Sequence, residues 1–283
     1  MLSEVERATD AVARVARDPV SLVRAAGDPR EAELVAVLAS SLAFGNVTTI
    51  LAKIREVLAR AGGPLVSATR DPRALGRSLR GFKHRLYRGE HVAALLVGAA
   101  RVQRQRGSLG AALASHLERA PLQEALARWV DELRAHGLDG LGDAGARHLL
   151  PDPRAGGSSK RLLLLLRWMA RPPGPVDVGL WSGLIPASRL LIPLDTHLFK
   201  LSKNLGLTSR GAPSWRAAEE ITRALTALDA ADPTRFDFPL CHLGMVQGCP
   251  SRRDAARCHG CGVKPLCVHW RGAARAPPGS ERS

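Results

Sequence analysis

Apolar positions recur at helical spacing along nearly the whole chain. In "EAELVAVLASSLAFGNVTTILAKIREVLARAGG" two apolar-periodic runs are broken at Phe44-Gly45-Asn46 and stopped by Gly62-Gly63. They predict helices over Glu31 to Leu42 and Val47 to Ala61. "EHVAALLVGAARVQRQRG" and "PLQEALARWVDELRAHG" each finish in a basic turn followed by glycine, the ending a helix C-terminus favours. "SSKRLLLLLRWMAR" predicts a buried helix ended by Pro172-Pro173-Gly174-Pro175. In "DTHLFKLSKNLGL", Leu198, Leu201 and Leu205 share one face, and Lys200, Lys203 and Asn204 are expected to turn away from it. "SWRAAEEITRALTALDAAD" supplies a further amphipathic helix. Sustained period-two alternation and hairpin signals are absent from the sequence, so the class is all-α, with no internal repeat. The end of the chain, residues 271–283, has the composition of a disordered tail.

With 283 residues and 45% hydrophobic content, the chain can bury one large core or two modest ones. Its longest uncharged apolar run, Val92 to Ala100, is far too short to span a membrane. The N-terminus mixes acids and bases from its fourth residue and has no apolar signal core. The expectation is a cytoplasmic protein, in which clustered cysteines favour metal over disulfide.

Charge sharpens the picture. The net charge is +15, with 41 Lys+Arg against 26 Asp+Glu. Thirteen bases and three acids lie between Lys53 and Arg106, and seven bases and two acids follow from Cys249 onward. Two separated basic regions suit a phosphate-lined partner, whose counterions are released on binding. A solvated basic surface is the plain alternative.

Four of the five cysteines, Cys249, Cys258, Cys261 and Cys267, fall in a C-x8-C-x2-C-x5-C loop, and Cys241 stands outside it as a core residue. Spacing alone leaves a Cys₄ Zn²⁺ site and a [4Fe–4S] cluster both open, because a zinc ribbon usually shows two C-x2-C knuckles and this loop has one.

Three blocks in order resemble the endonuclease III branch of the helix-hairpin-helix DNA glycosylases. They are "ELVAVLASSLAFGNVTTILAKI", "HLLPDP…GGSSKRLLLLLRWM…IPLDTHLFKLSKNLGL" and "FPLCHLGMVQGCPSRRDAARCHGCGVKPLC". Within that superfamily the chain also resembles an uncharacterised bacterial group known as a domain of unknown function. The resemblance implies a bilobal helical fold with a C-terminal [4Fe–4S] loop held by the four cysteines. Residues 30–170 would form the helical barrel with the hairpin, and residues 1–29 plus 171–270 the cluster lobe. The sequence departs from the family in a longer hairpin, with Leu150 ten residues before Lys160. It departs again in a thirty-five-residue separation of Lys160 from Asp195, filled by the insert "RPPGPVDVGLWSGLIPASRLLIP".

The resemblance carries two residues into catalysis. Breaking a base–deoxyribose bond passes through a sugar cation, and a carboxylate beneath the sugar stabilises it. Asp195 takes that role, against the alternative of a simple helix cap. Lys160 is the nucleophile, an amine that must be neutral to attack and whose attack would permit strand cleavage. Gly156, Gly157 and Ser158 of the hairpin, with Arg252, Arg253 and Arg257 of the cysteine loop, would meet phosphates. The target base must be flipped out of the duplex. Phe44, Trp168 and Trp181 are candidate pocket walls, and Leu42 and Asn46 belong to the segment that wedges into DNA. His148 and His197 are expected to be hydrogen-bonded structural residues near the site.

The implied function is a monomeric, nucleoid-associated DNA glycosylase of base excision repair that acts on duplex DNA. It removes a damaged base, an oxidised one as the first choice, and has AP-lyase activity if Lys160 attacks the sugar. From another class, the alternative is a non-catalytic, metal-stapled DNA- or RNA-binding module.

Overall fold

The computed structural model describes residues 11–246 and 248–271, so residues 1–10 of the expected cluster lobe and all but the first residue of the expected tail lie outside the described residues. The described chain is helical, in agreement with the all-α expectation. It opens with α1 (Ala11–Val15), α2 (Val20–Arg24), α3 (Pro29–Leu42) and α4 (Val47–Ala61). Next come α5 (Leu65–Ala68), α6 (Pro72–Ser78), β1 (Lys83–His84), β2 (Tyr87–Arg88), α7 (Gly89–Arg106), α8 (Leu109–Leu117) and α9 (Leu122–Ala135). The series ends with α10 (Ala144–Leu149), α11 (Lys160–Ala170), α12 (Thr196–Asn204), α13 (Trp215–Thr226) and α14 (Asp237–Val246). No helix among the described residues is long and apolar enough to cross a membrane.

Helix α3 is the central member. Asp28 caps it through bonds from the Arg30 and Glu31 amides, with Pro29 in the first turn. Every residue from Ala32 to Leu42 is buried, because α2, α4, α5, α7 and α11 surround it. Asn46 caps α4, and Gly62 ends it in the left-handed conformation at φ 71°. The turn between α3 and α4 therefore lies where the Phe44-Gly45-Asn46 break predicts. The small β1–β2 hairpin was not expected. Its two-residue strands pair Lys83 with Arg88 and His84 with Tyr87, too short a stretch to show alternation.

The insert between α11 and α12 has no α-helix and is tied to the core by hydrogen bonds. The Val178 and Gly179 amides bond the Trp168 carbonyl, and the Trp181 amide bonds Met169 at 2.6 Å. These bonds satisfy carbonyls that the end of α11 would otherwise leave unpaired. Its anchor is Trp181, whose indole N–H donates to Oε1 of Glu33 on α3 at 2.6 Å. Glu33 is 3% exposed and also accepts from Gln103 and from the Leu109 and Gly110 amides that open α8. A buried carboxylate is tolerable only with such a full set of donors. Gly110 is required beneath the indole, since a Cβ there would meet Trp181 Cδ1 at 2.4 Å. Arg24 of α2 reaches the other end of the insert through the carbonyls of Gly174 and Asp177.

Candidate active site and cysteine pocket

Lys160 and Asp195 come together across the insert. Lys160 is the first residue of α11 and Asp195 immediately precedes α12, which places Nζ 3.4 Å from Oδ2. The capping and charge-facing roles of Asp195 coexist in one carboxylate. Oδ1 accepts the Leu198 amide at 2.8 Å as the helix cap, and Oδ2 faces the lysine. Asp195 is mostly buried, whereas Lys160 is about one-third exposed, with side-chain exposure of 36%. Burial works to raise the Asp195 carboxyl. The Lys160 charge, the Leu198 amide and the Cys241 thiol outweigh it and hold the group below the usual carboxylate range. The carboxylate therefore stays ionised at neutral pH.

Cys241, expected as a core residue, touches this site. Its Sγ lies 3.4 Å from Asp195 Oδ2, and burial together with the Asp195 and Asp237 charges raises its thiol, which stays protonated and donates. Behind it runs a buried ionic chain. Arg167 of α11 pairs with Asp237 of α14 at 2.8 Å and with Asp177 of the insert at 3.2 Å. Arg171 bonds Asp177 and meets Asp232 at 2.7 Å. Burial pushes the Asp237 carboxyl up to about 6 against the pull of Arg167, with Asp195 adding to the rise. Cys241, Asp177, Asp232 and Asp237 were not legible as site neighbours, because irregular chain separates each of them from Lys160 or Asp195.

A second group of residues forms around the residue after Lys160. Arg161 donates to the carbonyls of Ser41, His148 and Leu149 and to the Tyr87 hydroxyl. One guanidinium thus joins the ends of α3 and α10 to β2 and the start of α11. Tyr87, accepting from Arg161, gives its own hydrogen to Nδ1 of His148 at 2.7 Å. Burial and the Arg161 charge lower His148, which suits a neutral, accepting ring. Phe44 meets that ring edge-on with centroids 5.4 Å apart, and the Arg85 guanidinium covers Phe44 at 4.8 Å. Gly45, at φ 115°, makes room for this stack: a Cβ there would sit 2.5 Å from Arg85 Nη2.

The five residues expected at a base pocket or wedge divide sharply. Phe44 is 41% exposed and Asn46 is exposed, although Asn46 spends its side-chain oxygen on the Thr48 and Thr49 amides. Leu42, Trp168 and Trp181 are core residues at 1% exposure or less and offer no face to a flipped base. The helical apolar pattern around Leu42 and Trp168, and the Glu33 bond of Trp181, hold them there. His197 is exposed at the start of α12.

In the segment between α10 and α11, Gly156 takes a left-handed φ of 82°, and Ser159 takes 48° without capping α11 by its side chain. Gly156 and Gly157 are exposed and Ser158 is half-buried just ahead of the helix. Asp152 and Asp131 both hold Arg154, which fastens the segment to α9.

Cys249, Cys258, Cys261 and Cys267 line one pocket with Asn204, and none of the chain's five cysteines is in a disulfide. Asn204 is buried at 6% exposure, contrary to the outward position expected of it, while Lys200 and Lys203 are exposed. Three residues beyond Leu201, it lies only about 60° from it around the helix. Arg252, Arg253 and Arg257 are all exposed on the loop. Arg253 and Lys264 stack on Trp270 at 4.1 and 4.3 Å, and Arg257 pairs with Asp254 at 3.6 Å. A separate trio, Glu90, His91 and Asp143, brings three ligand atoms within 4.8 Å. There the Arg88 guanidinium already bonds both carboxylates, at 2.5 Å to Glu90 and 2.7 Å to Asp143.

These features define an all-α protein with a lysine–carboxylate pair between two helices and four clustered thiols nearby. Its sequence matches the family described as "Protein of unknown function (DUF2400)" over residues 18–246, and the chain belongs to that family. The matched span contains Lys160 and Asp195 and ends ahead of Cys249. No curated protein and no solved structure matches the chain.

Proposed function

We propose that the protein is a DNA glycosylase of the helix-hairpin-helix type, with Asp195 and Lys160 as its catalytic residues. The observation that carries this reading is the 3.4 Å pair itself, formed across a long insert and open to solvent on the lysine side. The ionised Asp195 carboxylate is suited to stabilise the cation that develops on deoxyribose as the base leaves with the glycosidic electron pair. Lys160 must shed its proton before attack, and Asp195 Oδ2 is an adjacent acceptor. Its amine would then bond C1′ and, with opening of the sugar ring, yield an imine that permits β-elimination. Phe44, exposed and braced by Arg85 and His148, replaces the buried tryptophans as the aromatic element available to DNA.

The four thiols that line one pocket are soft donors suited to a metal group, a Cys₄ zinc ion or a [4Fe–4S] cluster, and the family resemblance favours the cluster. The indole N–H of Trp270, which lines the same pocket, is buried without a partner, as a donor to an inorganic sulfide would be. Four thiolates of this pocket would hold a [4Fe–4S] cluster, which would brace the loop carrying Arg252, Arg253 and Arg257.

Borohydride trapping tests the catalytic reading on duplexes carrying 8-oxoguanine, oxidised pyrimidines, uracil or an abasic site. A covalent complex that disappears in Lys160→Ala is expected. Base release without trapping would leave Lys160 a supporting role, and neither reaction on any substrate would favour the metal-stapled binding module. Iron and acid-labile sulfide measured on the same protein test the cluster.

A further inference from the structure

The two ends of α12 meet different centres. At its start, Asp195 faces Lys160; at its last residue, Asn204 is committed to the cysteine pocket. Nine residues of rise separate them by about 13 Å. Asn204 Nδ2 donates to Cys249 Sγ at 3.1 Å and to the Pro250 carbonyl at 2.8 Å. Its Oδ1 lies 3.1 Å from His269 Nε2, and its backbone carbonyl accepts the Val268 amide at 2.7 Å. The loop is thus bonded at both its first and last portions to one buried amide at a helix end. A second rail runs alongside. The Cys249 amide bonds the Gly244 carbonyl of α14, the helix whose Cys241 thiol bonds Asp195.

We propose that the metal group of the cysteine pocket sets the geometry of the Lys160–Asp195 pair through α12, with Asn204 as the positioning residue. The inference rests on the reading that this pocket holds such a group. Four thiols drawn to a common group fix Cys249, and Cys249 fixes Asn204. Loss of the group frees the loop to collapse or loosen, and either movement reaches α12 through Asn204. The Leu198 amide, bonded to the Asp195 carboxylate at the other end of the helix, reports whether the movement reaches the pair. Iron loading, or damage to the cluster, would therefore switch the catalytic pair without any ligand touching it.

Amide hydrogen exchange of the full chain, read on peptides covering residues 196–204, tests the coupling before and after metal removal, with metal content measured on each sample. Loss of a cap costs about 1 kcal/mol, so exchange at the start of α12 is expected to rise about fivefold to tenfold, while α4 stays unchanged. Asn204→Asp keeps the size and the acceptor for His269 but removes the donor to Cys249. It is expected to retain metal, shift the visible band or lower the reduction potential, and raise exchange in 196–204. Trp270→Phe, lacking a bond to α12, is expected to shift the band and leave that exchange alone. Unchanged exchange in a metal-stripped but folded chain overturns the coupling and spares the metal reading. A chain that purifies with neither iron nor zinc overturns both. Should stripping unfold the whole chain, metal-loaded Asn204→Asp decides: unchanged exchange and spectrum together reject the proposal.

Discussion

Nζ of Lys160 lies 3.4 Å from Oδ2 of Asp195, while Oδ1 of the same carboxylate caps α12. The two oxygens can be separated by mutation. Asparagine is as good a cap as aspartate, so Asp195→Asn should keep stability within about 1 kcal/mol while removing the charge. Borohydride trapping is expected to fall at least about 100-fold, a typical loss for a charge aimed at a transition state. Asp195→Ala should lose both, adding a measurable drop in urea midpoint. Full trapping by Asp195→Asn would mean that the charge plays no part in the chemistry.

Asp237 gives a pH signature of the opposite sign to most carboxylates. Its ordinary value of 3.8 is pushed up to about 6 in the fold. The folded chain therefore holds this proton more tightly than the unfolded chain. Its contribution to stability is fully present below the ordinary value and is lost as pH rises through the folded one. Asp237→Asn, which cannot ionise, is expected to gain stability relative to the native chain between about pH 4 and pH 7. Urea midpoints across that range check it; a pH-independent difference between the two proteins would contradict the assignment.

Removing the indole donor from Trp181 leaves the buried Glu33 carboxylate one hydrogen bond short. Trp181→Phe keeps most of the apolar volume, and Oε1 still accepts the Leu109 and Gly110 amides, so a cost of about 1–3 kcal/mol reports mainly the lost bond to the carboxylate. The same variant in a Glu33→Gln background should cost less, and the double-mutant cycle measures the coupling.

The three loop arginines are exposed, with Arg253 on Trp270 and Arg257 beside Asp254. If all three meet phosphates, replacing them with alanine lowers the slope of log affinity against log salt by about 0.9 for each phosphate no longer neutralised. Fluorescence anisotropy with a duplex at several salt concentrations gives that slope. An unchanged slope would place the DNA elsewhere.

Local rules made much of this architecture legible. Gly45 and Asn46 mark the turn between α3 and α4, and both helices end where their apolar periods stop. Lys160 and Asp195 stand at helix starts, where the sequence places them. Pairings between distant segments were less visible. Trp181 looks like a pocket wall until its bond to Glu33, 148 residues away, is known. Cys241 shows no partner in sequence because its neighbour, Asp195, is 46 residues distant. Asn204 was misplaced for a different reason. A polar residue beside two lysines looks solvent-facing, yet its helical angle keeps it next to Leu201.

The Glu33–Trp181 bond also constrains how this protein can vary. The Pro/Gly-rich insert has the composition of a dispensable loop, but it carries the indole that neutralises the polarity of a carboxylate inside α3. The two positions are coupled through that bond. A chain trimmed at the insert would lose the indole donor and leave Glu33 with the Gln103, Leu109 and Gly110 donors, a cost that Glu33→Gln would reduce.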